Sequence, residues 1–158
     1  MKTETIITQA EIKTLLDNTD NELLNDSFKG EDQNETLEMY LSEEKIGYGN
    51  FIKYEDGNLI IESEADIETT LKTLGDISNL IFWAYNQFGC ETKHTTEADK
   101  IWEDLNLGGD DDVDYNATYL DIPLYIIEEH LKLNIELTNL DNKPEERKAI
   151  IESFNNLK

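Results

Sequence analysis

The sequence predicts an α+β fold: a mostly helical single domain with a small antiparallel β-sheet. Three observations carry this expectation. Two β-prone runs, Tyr48–Tyr54 and Leu59–Ile61, flank Glu55-Asp56-Gly57-Asn58, and an Asp-Gly pair between such runs is a strong hairpin signal. From Ser63 to Gly89, apolar residues recur at helical spacing over the longest such stretch in the chain. Finally, 158 residues with 38% hydrophobic content, only two prolines and no linker or repeat suit one continuous domain, residues 1–158.

Each element has a local justification. Thr8 with Glu11 three residues later is a capping-box pattern, opening a short helix through Leu15 and Leu16. Asp20 or Asn21 caps a second short helix carrying Leu23 and Leu24, residues 29–36 read as loop, and Leu37, Tyr40 and Leu41 fall at helical spacing. After the hairpin, near 48–61, Ser63 and Asp66 supply the start of the long helix, and Gly89 supplies its end. Ile67, Leu71, Leu74, Ile81, Tyr85 and Phe88 share one face of it, and Leu80, Phe82 and Trp83 make its second half apolar almost all round, as expected of a central, buried helix. Trp83 lies outside the main stripe; burial is the expectation, and a partner or dimer contact is the alternative.

Thr96 with Asp99 begins another helix that Gly108-Gly109 ends, with Ala98, Ile101, Trp102 and Leu105 as its apolar stripe. Val113, Tyr115, Ala117 and Tyr119 alternate with polar residues, which predicts a further strand near 112–120. Asp121 as cap and Pro123 in the first turn then open a helix through Leu131. Leu133, Ile135 and Leu137 fit either its continuation or a strand. Asn142 and Pro144 open a C-terminal helix with Ile150, Phe154 and Leu157 on one face.

Charge is the main pointer to function. The chain has 36 Asp plus Glu against 13 Lys plus Arg, net −23. Residues 1–16 and 141–158 are each balanced and read as packing elements, so the whole excess falls in residues 17–140, where 30 acids face 7 lysines and no arginine. A net charge of magnitude about 2–8 already keeps a small domain soluble, and more adds self-repulsion. The acids concentrate in residues 17–44, 55–68 and 97–121. A single Arg147 and no basic patch make nucleic acid a poor direct partner, and anionic lipid headgroups would repel the same surface. Met1 to Ala10 contains no apolar run of signal-peptide length, the longest apolar run is Leu80 to Tyr85, and Cys90 is the only cysteine; a cytoplasmic protein is expected.

Motifs for catalysis are absent: there is no nucleophile elbow, P-loop or dinucleotide fingerprint, and with only two histidines, His94 and His130, general-base candidates are scarce. An enzyme is not expected, and neither is a cofactor. Asp110, Asp112, Asp114, Asn116 and Asp121 fall at positions 1, 3, 5, 7 and 12 of a calcium loop, but Tyr115 stands where that loop requires glycine and Asp121 where it uses a bidentate Glu. Cys90 and His94, with a distant His130, fall short of a zinc site, so no metal is assigned.

Carboxylates repeated on a helix face lie about 5–6 Å apart, which can imitate the phosphates of a duplex, spaced about 3.4 Å along each strand. The candidate contact residues are Glu97, Asp99, Glu103, Asp104, Asp110, Asp111, Asp112, Asp114 and Asp121, facing the basic groove of a nuclease or a DNA- or RNA-binding protein. In size, charge and lack of catalytic motifs the chain resembles the acidic DNA-mimic inhibitors that phages and plasmids direct against restriction or CRISPR nucleases, and nuclease-immunity proteins share these features. The resemblance is one of class and carries over no residue. The competing readings are an acidic interaction or oligomerisation module, a dimer included, and a weak calcium binder.

Overall fold

A computed structural model describes residues 2–28, 35, 37–38, 51–89, 95–105 and 113–157, and for 88–89 and 113–120 the backbone alone. Its elements run β1 (Thr3–Ile7), α1 (Gln9–Asn18), α2 (Glu22–Phe28), β2 (Ile52–Glu55), β3 (Asn58–Ser63), α3 (Ile67–Gly89), α4 (Thr96–Asp104), α5 (Val113–Leu131) and α6 (Pro144–Leu157). The fold is mostly helical α+β with a three-stranded antiparallel sheet of order β1-β3-β2.

The hairpin forms where Asp-Gly places it. Glu55 pairs with Asn58, and the two residues between them, Asp56 and Gly57, have φ of 54° and 83°. Both central residues in the left-handed region match the right-handed twist of the flanking strands. Alternation then puts Leu59, Ile61 and Ser63 inward. β1 is a strand that the sequence analysis did not identify. Thr3, Thr5, Ile6 and Ile7 are β-branched, but only Ile7 is buried, and the partner strand lies far along the chain, so the local pattern is weak.

Helix starts follow their caps. The Thr8 hydroxyl accepts from Glu11 N and donates to Glu11 Oε1, and Asn21 Oδ1 accepts from Leu24 N. Asp66 Oδ1 accepts from Thr69 N, so Asp66 is the cap of α3, while Ser63 bonds Ala65 N within the turn before it. On α4 the cap is Thr95, one residue before the expected Thr96, and the helix closes at Leu105; Gly108-Gly109 lie outside the described residues. The helical expectation around Tyr40 and Leu41 also lies outside them.

The strand expected near 112–120 is a helix. Asp121 is not a cap either: α5 runs from Val113 through Pro123 to Leu131. Alternation at 113–119 is equally a fragment of helical spacing, because Tyr115, Tyr119, Ile122 and Ile126 continue as one 4-3-4 stripe. Pro123 leaves one intrahelical bond unmade, which burial of Ile122, Leu124, Ile126 and Ile127 outweighs. The helix ends at Lys132, with φ 55°.

α3 is the central helix, packed against α4, α5, α6 and β3. Leu74, Ile77, Leu80, Ile81 and Ala84 are fully buried there. Phe51 meets Phe154 edge-on at 6.0 Å, joining the sheet side to α6. Residues 133–140 form neither helix nor strand but an extended strap across α3. Asp76, only 6% exposed, holds it: Oδ1 accepts from Thr138 N at 2.7 Å and Oδ2 accepts from the Thr138 hydroxyl and from Lys72 Nζ. Gly75 lets the strap approach, because a Cβ there would lie 2.7 Å from Leu137 Cδ2.

Candidate acidic interface and an anionic groove

The nine acids singled out from the sequence divide into three groups. Asp99, Glu103 and Asp104 stand exposed on α4, opposite the buried Ala98 and Ile101; Lys100 reaches Asp104 at 3.4 Å. Asp114 falls in the first turn of α5, where the helix dipole favours negative charge, and Asp110, Asp111 and Asp112 lie outside the described residues. Glu97 and Asp121 are engaged within the fold.

Glu97 grips Arg147. The guanidinium donates Nε to Oε1 at 2.6 Å and Nη2 to Oε2 at 2.8 Å, and it also donates Nη1 to the Leu140 carbonyl. Its Cζ lies over the Trp83 ring, 4.2 Å from the centroid. Arg147 is thereby 5% exposed although it is charged, and its bonds to Glu97 hold that carboxyl below the ordinary glutamate range. Trp83, half-buried, gives one face to this cation. Sequence reasoning missed the pairing, although a lone arginine among twelve lysines was a signal, because arginine is the cation suited to buried bidentate contacts.

Asp121 lines a groove of about 410 Å³ between α3, α5 and the strap. The Ser78 hydroxyl donates to its Oδ1, and burial pushes its carboxyl above the ordinary aspartate range against that bond. Leu71, Phe82 and Leu124 form apolar wall, and Asn79, Tyr125 and Glu128 add polar groups. Glu128 Oε1 accepts from Ile135 N of the strap. Burial first, then the charges of Asp121 and Glu128, push the Tyr125 hydroxyl above its usual value.

Helical backbone from Val113 onward is incompatible with a calcium loop over 110–121, and among the described residues no group of three or more His, Cys, Asp or Glu could hold a metal. Cys90 and His94 lie outside the described residues; His130 pairs with Glu11 Oε2 at 2.7 Å. The Ile150, Phe154 and Leu157 stripe is core, as expected of a packing element. No described helix is long and apolar enough to cross a membrane. No family model matches the chain, and neither a curated protein nor a solved structure matches it.

Proposed function

We propose that this protein is a non-enzymatic acidic inhibitor, acting in the cytoplasm, that presents a phosphate-like carboxylate surface to the basic groove of a nuclease or another nucleic-acid-binding protein. One observation supports the reading above the rest: among the described residues, five of the chain's thirteen cations are paired with acids of the fold. Lys2 and Lys53 pair with Glu62, Lys72 with Asp76, Lys100 with Asp104, and Arg147 with Glu97. The chain carries a net charge of −23, and Asp99 and Glu103 are among the acids it exposes. Asp99 and Glu103 lie four residues apart on the open side of α4, and Asp104, paired with Lys100, is exposed beside them. The run Asp110, Asp111, Asp112 and Asp114 follows them in sequence and is proposed as part of the same contact surface. Such a surface steers a basic partner at high on-rates, and its affinity falls steeply with salt.

The test is a pull-down of nucleic-acid-binding proteins at low and high salt, followed by competition with duplex DNA for whatever is captured. The expected result is a basic partner retained at low salt, displaced by DNA, and lost to the combined variant Asp99→Asn, Glu103→Gln, Asp104→Asn. Capture that is indifferent to both salt and DNA would refute the proposal.

A further inference from the structure

A carboxylate with apolar neighbours needs a counter-charge, because burying an unpaired anion is costly. Asp121 has one hydrogen bond, from Ser78 to Oδ1. No bond to its Oδ2 is seen among the described residues, and Asp121 lines the groove. Glu128 stands on the same wall two helical turns further along α5, and the described lining contains no Lys, Arg or His. The groove therefore offers two carboxylates and no cation of its own.

Its other walls specify the kind of cation. Leu71, Phe82, Leu124, Ile135 and Leu137 are hydrocarbon, which suits an organic body and not a hydrated divalent ion that demands six or more oxygens. Four large hydrophobic side chains are left exposed among the described residues, and two of them stand here, Tyr125 at 36% and Leu137 at 48%. A volume of about 410 Å³ lies within the range of small-molecule sites. The −23 field concentrates cations at such a mouth and repels anions.

We propose that the groove between α3, α5 and the strap binds a small organic amine, with the ammonium at Asp121, Glu128 adding negative charge further along the same wall, and the hydrocarbon body against Leu71, Phe82, Leu124 and Leu137. The site is separate from the α4 surface and does not depend on the inhibitor reading. Its chemistry requires one positive charge attached to an apolar group of modest size.

The test uses the full chain with three probes of one shape: phenethylamine, the uncharged 2-phenylethanol and the anionic 3-phenylpropionate. Binding is followed by calorimetry and amide chemical shifts at physiological ionic strength. The expected result is saturable binding of the amine, at least about tenfold tighter than the alcohol, with no binding of the acid. Shifts should centre on α3 and α5 around Ser78 and Tyr125. Asp121→Asn should weaken the amine at least about tenfold, and so should Glu128→Gln, which keeps an acceptor for Ile135 N. The triple variant Asp99→Asn, Glu103→Gln, Asp104→Asn should bind the amine unchanged, which separates the groove from general attraction to an acidic protein. No saturation by about 10 mM amine, equal binding of amine and alcohol, or equal loss in the α4 triple variant would each overturn the proposal.

Discussion

Replacing Arg147 by alanine tests the internal use of charge. The side chain makes a bidentate contact to Glu97, donates to the buried Leu140 carbonyl and stacks on Trp83 at 4.2 Å. Losing the donor to a buried carbonyl costs about 1–3 kcal/mol. Losing the cation over the indole costs about 0.5–2 kcal/mol. Glu97 is half-exposed and regains water, so the ion pair itself adds about 1 kcal/mol or less. Together these predict a loss of about 3–4 kcal/mol, near the usual result of breaking a buried pair. In a domain of this size that lowers Tm by about 10 °C.

Urea denaturation and calorimetry of the wild type, Arg147→Ala and Arg147→Lys measure it. Lysine keeps the charge but neither the fork nor the stack, so it should lose more than half as much as alanine. Because Glu97 is held below its ordinary value, the pair's contribution is complete at neutral pH and above the unfolded glutamate value near 4.5. It is lost as pH falls through the depressed folded value, so the gap between wild type and Arg147→Ala should narrow in acid by about 1 kcal/mol or less, while the contacts to Leu140 and Trp83 keep the rest. A loss under about 1 kcal/mol, or a lysine variant as stable as wild type, would refute this account of Arg147.

Three other substitutions probe separate features. Gly57→Ala puts a side chain at φ 83° and its Cβ 3.0 Å from Gln9 Cδ, and should cost about 1–2 kcal/mol in equilibrium unfolding. Asp76→Ala removes the acceptor for Thr138 N and Lys72, and should cost about 2 kcal/mol while speeding hydrogen exchange around Thr138 more than in the core of α3. Asp121→Asn should stabilise the protein at neutral pH. A carboxyl raised above its unfolded value contributes its stability below that value and loses it as pH rises through the folded one, so the gain over wild type should shrink in acid when unfolding is measured across pH.

Local signals in the sequence located most of the architecture. Asp56-Gly57 sets the hairpin because two left-handed residues in succession admit few alternatives. Gly89 placed the end of α3, and the Ser63 and Asp66 pattern placed its start within about four residues, the cap being Asp66 because Ser63 closes β3. What failed depended on distant partners. β1 is a strand because β3 offers an edge more than fifty residues later, and α5 extends back to Val113 although an eight-residue window there reads as strand. The same distinction governs the acids. Composition revealed the excess of charge, but only tertiary contacts show that Glu97 faces Arg147 across the chain and that Asp121 meets Ser78 on a neighbouring helix.

Two kinds of negative charge thus coexist, and salt separates them. Asp99, Glu103 and Asp104 are exposed, so a partner's lysines and arginines would feel them through solvent, where the Debye length is about 8 Å at 0.15 M and about 3 Å at 1 M. Asp121 acts at contact range inside a groove with apolar walls, where ions screen poorly and apolar contact persists in salt. Raising salt from 0.05 to about 0.5 M should therefore weaken a basic partner by orders of magnitude, as counterion release does for protein and DNA, and weaken phenethylamine only a few-fold. An amine that lost affinity in parallel with the partner would mean that Asp121 acts as one more exposed acid, and the groove would have no chemistry of its own.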